Sequence, residues 1–380
     1  MGKRELVLVA LFVAVGVVVY QFTAPPPPPG SEGVSVGGIF QKLKRQMHGA
    51  REVASAESHQ SLPVDVGVRL VRISFPQRND VTIVGSDRPD ISVEMKVTAR
   101  GYDQAEAKAA ADSAQVKLER AGDAVAVTTA WAMGSGRGGP RSGFVNQGTI
   151  TVNLPKRLFV RVEPHFGELI VRDVAGVELM GSRGETRLTG IAGNVALSQI
   201  GSKLEIDGAA SVKLTARNVN GTIKHVTGTL TLDGTGAELR LEDVGGPVEV
   251  EARNTELTLD ATKMLKPPFR FNGTGGQLRV QNLRTESRID GRNTDIEVAL
   301  AAAAPVTIYS TGEEIIVTAP PVGYSLDAVA TDGRLVLDDG TLKPADDAEQ
   351  RVTGAVRGGG PTLTLRSTRA DIRLRKPEGK

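Results

Sequence analysis

The sequence predicts a mainly β protein. Its expected class is a β-solenoid, a right-handed β-helix-like stack of short strands, preceded by a small α+β segment and an N-terminal transmembrane helix. Three observations carry that expectation. Short alternating segments such as Glu168–Arg172, Lys203–Asp207, Thr229–Asp233 and Thr255–Leu259 recur every eight or nine residues and break at Gly, Asn or Asp. Val212-Lys-Leu-Thr-Ala-Arg-Asn218 returns as Val248-Glu-Val-Glu-Ala-Arg-Asn254 at an offset of 36, and Arg253-Asn254-Thr255 returns as Arg292-Asn293-Thr294 at an offset of 39. Two strands make a coil of roughly 18 residues, so the offset of 36 is two coils. Glycines such as Gly167, Gly184, Gly236, Gly276, Gly312 and Gly333 precede apolar strand positions, where positive φ turns the chain between strands. A β-sandwich or barrel also spaces strands at about 8–12 residues; the repeated string favours the stack.

The elements divide the chain into four stretches: 1–24, a cytoplasmic tip and transmembrane anchor; 25–61, a Pro-rich spacer and linker; 62–154, the α+β part of the exported domain; and 155–376, the β-repeat solenoid. Lys3 and Arg4 precede the charge-free run Leu6 to Phe22, which spans about 25 Å as a helix. The basic tip orients it with the N-terminus cytoplasmic. A cleaved signal peptide is the competing reading, but Pro25 to Pro29 follow Ala24 directly, and a proline after the cut is a poor peptidase substrate. Those prolines form a stiff spacer. Phe40 to Ala56 reads as a short amphipathic helix carrying Lys42, Lys44, Arg45 and Arg51. The expected localisation is the cell membrane, single-pass, with the bulk of the chain periplasmic or extracellular.

Strands are expected at Val66–Phe75, Val81–Gly85, Ile91–Ala99 and Ala124–Trp131, with an alanine-rich helix over Tyr102–Leu118; Val116 to Leu118 can instead open the next strand. Gly134, Gly136 and Gly139 formally spell a dinucleotide fingerprint. Pro140 follows where a helix would have to open, so the motif fails its structural context. Arg137 and Arg141 in that loop leave a phosphate nest open, beside the plainer reading of a surface loop.

These residues resemble a bacterial family of putative adhesins of unknown function. The resemblance rests on Val81-Thr-Ile-Val-Gly-Ser-Asp-Arg-Pro89 with the helix at 103–115 and Ala124–Val127, on Leu154–Val162 followed by His165–Val171, and on Leu363–Leu374. Ala370 stands where that family usually has glycine. The likeness covers about residues 64–375 and implies an exported, often membrane-anchored β-repeat domain, adhesin-like, with no catalytic residues to carry over.

Composition narrows the chemistry. The 380 residues carry 46 Lys plus Arg against 44 Asp plus Glu, a net charge of +2 that gives no steering toward nucleic acid. There is no cysteine, which removes disulfides, thiolate metal sites and cysteine nucleophiles. Aromatics are only 4%, too few for sugar-stacking platforms along a groove. His48, His59, His165 and His225 show no metal-ligand spacing. Glycan-cleaving carboxylates would need to sit about 5–9.5 Å apart, and residues one coil apart could satisfy that: Glu242 and Asp243 against Asp260, or Asp290 against Asp295. The plainer reading of these acids is a charged face with cross-strand pairs. Asp338-Asp339 and Asp346-Asp347 offer weak calcium ligands without the glycine–aspartate repeats of calcium-binding rolls. Asn218, Asn254 and Asn293 read as a stacked structural row that caps turns, with a ligand-binding row as the sharper alternative.

No catalytic, cofactor-binding or metal residue is therefore assigned, and no cofactor is expected. The leading functional class is a non-enzymatic, membrane-tethered module binding an envelope polymer or a protein partner. A carbohydrate-active enzyme on the same scaffold and an accessory of envelope-stress signalling are the alternatives.

Overall fold

The computed structural model describes residues 12, 15–16, 51–75, 78–130, 143–261, 265–338, 342 and 349–377. Alternation dictates the architecture. In Lys203–Arg217, Leu204, Ile206, Val212 and Leu214 point inward and are almost wholly buried, while Lys203, Glu205 and Lys213 face solvent. Rungs pair in parallel, with Val212 opposite Leu230 and Leu230 opposite Val248, an interval of 18 residues. Between Val248 and Phe269 the interval widens to 21 and then returns to 18 at Ser287. One wide and one ordinary rung make up the offset of 39.

The expected fold class is corrected on three counts. First, many predicted breaks are bends within continuous strands. Gly208 (φ 84°) lies inside Lys203–Arg217 and Asn254 (φ 48°) inside Val248–Asp260, so each of these strands runs along two faces. The sheet thereby closes: Lys203–Arg217, Asn220–Val226, Glu238–Glu242, Val248–Asp260 and Leu230–Thr235 form a ring of five parallel strands. This is a narrow barrel filled by side chains, not an open stack of separate short strands.

Second, the α+β segment is not set before the repeats but continues them. Leu70–Ser74 lies in parallel between Ala124–Ala130 and Phe159–Val162, and Asp80–Ser86 between Phe144–Pro155 and Leu169–Arg172. At the other end, Thr362–Thr368 inserts between Val306–Thr311 and Tyr324–Thr331. Antiparallel strands then cover the outer edges: Gln115–Ala121, Asp90–Gly101 with Glu52–Pro63, and Glu349–Val356. Covering the outer parallel strands blunts end-to-end pairing with another chain. The helix is shorter than expected, Gln104–Asp112. Asp103 Oδ1 accepts from Glu106 N at 2.8 Å, Glu106 Oε2 accepts from Tyr102 N at 3.3 Å, and Ala107, Ala110 and Ala111 are buried. The helix expected at Phe40–Ala56 gives way to strand from Glu52; residues 40–50 lie outside the described residues.

Third, among the described residues no helix is long and apolar enough to cross a membrane. Of Leu6 to Phe22 only Phe12, Val15 and Gly16 are described, helical and exposed. The expected transmembrane helix, and with it the single-pass membrane localisation, is corrected accordingly.

The N-terminal cap has its own acid sensitivity. Arg88 Nε donates to Asp90 Oδ1 at 2.9 Å and Ser61 Oγ to Asp90 Oδ2 at 2.6 Å. These hydrogen bonds, Arg88's first, hold the Asp90 carboxyl down to about 2 from 3.8. A folded value below the unfolded one stabilises fully above about pH 4 and is lost as pH falls through about 2. Asp90→Asn should cost about 1–2 kcal/mol at neutral pH and flatten the melting curve's fall between about pH 4 and 2. Thermal melts across that window measure it; an unchanged slope would refute the assignment.

Candidate functional site

The expected carboxylate pairs separate into one that forms and one that does not. Glu242 and Asp260 are register partners on adjacent rungs. Glu242 takes Lys224 Nζ at 2.9 Å and also pairs with Arg240; these two cations hold it below the ordinary carboxylate range. Asn282 Nδ2 donates to Asp260 Oδ1 at 3.1 Å. Asp290 and Asp295 lie on different faces, in Ser287–Arg292 and Asp295–Leu300, on either side of the Asn293 bend, and Arg288 holds Asp290 at 2.8 Å. Similar rung-to-rung pairs recur: Arg161–Glu178 at 2.7 Å, Arg187–Glu205 at 2.9 Å and Arg279–Glu297 at 3.3 Å.

The histidines part company as well. His165 is buried, its Nε2 3.3 Å from Glu168 O, and burial lowers its pKa against the opposing charge of Asp80. His225 sits at a bend (φ 54°) with Nδ1 2.6 Å from Asp207 Oδ1 and Nε2 3.4 Å from Asp243 Oδ2. That trio escaped the sequence reading, although its members lie 18 residues apart. His59 is exposed on the cap strand Glu52–Pro63; His48 lies outside the described residues, as do Arg137, Arg141, Asp339, Asp346 and Asp347. Asp338 occupies an exposed turn. Among the described residues no group of three or more acidic or imidazole side chains is placed to hold a metal ion.

The asparagine row forms the most regular feature. Asn218, Asn254 and Asn293 all take left-handed φ, 54°, 48° and 49°, and alternate along one bend with Gly236, Gly275 and Gly312 at φ 60°, 71° and 95°. The backbone runs rung to rung through the bend: Asn218 N donates to Thr235 O at 2.9 Å and Gly236 N to Arg253 O at 2.8 Å. The expected stack of asparagine on asparagine is corrected here. Each side chain lies over the glycine of the next rung, where a Cβ would come within 2.6 Å of Asn218 Oδ1, 2.3 Å of Asn254 Oδ1 and 2.3 Å of Asn293 Oδ1. The glycine rung leaves a notch: a shallow cavity of about 300 Å³ opens between Asn218 and Asn254, lined also by Asn220, Gly236, Glu238 and Glu256. A second, of about 340 Å³, lies on the cap beside Glu57, His59 and Lys96.

No family model and no curated protein matches the chain. Solved structures give three comparisons, each covering 84% of this chain. A "putative cell adhesion protein" from Clostridium sporogenes is 9% identical over 100% of its length with a TM-score of 0.18. A "putative adhesin" from Parabacteroides merdae is 11% identical over 95% with 0.25, and a "putative lipid binding protein" from Parabacteroides distasonis is 13% identical over 96% with 0.28. Two of the three carry adhesion names. At these scores the likeness carries no argument about function.

Proposed function

We propose that the protein is a non-enzymatic, adhesin-like binding module whose long barrel faces hold an extended ligand, an envelope polymer or a protein partner. The observation that carries this reading is the state of the candidate acids. A general acid needs a carboxyl raised toward neutral pH, whereas Glu242 is lowered by Lys224 and Arg240. A face tiled by rung-to-rung pairs is rigid and extended, which suits contact over many rungs.

The test offers the full chain to cell-envelope polymers and envelope proteins and follows both retention and turnover. Retention without turnover is expected, and Glu242→Gln, Asp243→Asn and Asp260→Asn should each leave it unchanged. Cleavage of a glycan that drops about a hundredfold on one of these amide changes, with melting unaltered, would establish an enzyme instead.

A further inference from the structure

The bend that carries the asparagines also carries a row of unused cations. Arg217, Arg253 and Arg292 each precede one of the three asparagines, are exposed, and share one outward column: Arg217 pairs in register with Thr235, Thr235 with Arg253, Arg253 with Thr274 and Thr274 with Arg292. Some arginines elsewhere on the faces, such as Arg161, Arg187, Arg270 and Arg288, are tied to carboxylates, while Arg172, Arg183 and Arg284 are exposed without an ion pair among the described residues but do not form such a column. Among the described residues none of the three ridge guanidiniums has an ion pair or a side-chain hydrogen bond. What sets these three apart is their alignment: exposed cations repeat at every second rung of one column, which an extended anionic partner can follow.

We propose that this ridge binds a linear acidic polysaccharide carrying one carboxylate per disaccharide; the inference rests on the binding reading above and names its ligand class. The spacing sets the class. Successive arginines stand two rungs apart, roughly 10 Å along the barrel, a distance of the order of one disaccharide. Each guanidinium presents a planar fork that takes a carboxylate through two hydrogen bonds. The notch at Gly236, between Asn218 and Asn254, gives the intervening sugar room and amide partners for its hydroxyls. The surroundings select against denser polyanions. Asp233 and Glu251, both exposed, stand two residues before Thr235 and Arg253 on the same outward face, and Glu238, Glu256 and Asp295 flank the far side of the bend. A polymer charged at every sugar, or a nucleic acid with a phosphate every ~3.4 Å per strand, would set surplus charges against these carboxylates.

The experiment measures retention of the full chain on hyaluronan (one carboxylate per disaccharide), polygalacturonate (one per sugar) and neutral dextran at two salt concentrations. Hyaluronan should be retained best, less so at high salt. The triple variant Arg217→Gln, Arg253→Gln, Arg292→Gln should weaken that retention at least about tenfold with an unchanged melting temperature. Arg240→Gln, on the other face and paired with Glu242, should change nothing. Equal retention of variant and wild type, equal retention of dextran, or no retention on hyaluronan each overturns the inference. In the first two cases polymer binding survives, so the binding reading stands without this site. In the third, that reading is decided separately by the envelope ligands.

Discussion

Leu230→Asp is expected to unfold the barrel, or to lower its stability by several kcal/mol, while Arg240→Gln costs about 0.5 kcal/mol or less. The two positions sit close in sequence and opposite in environment. Leu230 is fully buried, with Val212 and Val248 as its register partners on the neighbouring rungs. The interior is mainly Val, Leu, Ile, Ala and a few Phe, with some neutral Thr, Ser and Gln, and among the described residues no Lys or Arg is buried there, so a carboxylate finds no cation within the barrel wall. It must ionise unpaired or stay protonated against apolar neighbours, and either state is costly. Arg240 lies outward, its side chain 59% exposed beside Glu242, and an exposed ion pair contributes little. Thermal or urea melts of the two variants measure the contrast. Equal shifts would mean that the inward and outward assignments are exchanged.

That contrast was legible in the sequence because alternation needs only local information. Leu230 and Leu232 flank Thr231, and the same inward–outward rhythm marks every rung from Leu169 to Leu259. The long offsets were legible too, since Arg-Asn returns at each asparagine rung, as Ala-Arg-Asn at 216–218 and 252–254 and as Gly-Arg-Asn at 291–293. Closure was not. Gly208 and Asn254 look like chain breaks by composition, yet their positive φ lets one strand turn a corner while its rung-to-rung hydrogen bonds continue. The order of the end rungs was hidden for another reason. Leu70–Ser74 pairs with Phe159–Val162 almost ninety residues away, and local alternation says nothing about which strand lies beside which. At the ridge, the recurrence of Arg217, Arg253 and Arg292 could be read directly, but their lack of partners depends on the three-dimensional placement of every nearby acid.

The alternation of asparagine and glycine gives the second large effect. Gly276→Ala is expected to cost at least about 3 kcal/mol. Gly276 has φ 82°, which any side chain resists, and its Cβ would meet the Thr255 backbone: O at 2.3 Å, N at 2.6 Å and C at 2.8 Å. Backbone in the neighbouring rung cannot retreat without opening the ladder, so no change of side chain should rescue this variant. Gly275→Ala, one residue earlier, differs in a decisive way. Its φ is 71°, but the atoms its Cβ would approach belong to Asn254, the nearest being Oδ1 at 2.3 Å. The expected cost is about 2 kcal/mol, and Asn254→Ala should return roughly 1 kcal/mol of it through their coupling. Gly201→Ala supplies the reference: φ is 68° with open space around the new Cβ, so about 1 kcal/mol of backbone strain stands alone. Melting curves of the three glycine variants, with and without Asn254→Ala, separate these contributions. Recovery of Gly276→Ala by Asn254→Ala, or none for Gly275→Ala, would show that the two-rung period has a cause other than asparagine side chains lying over glycine.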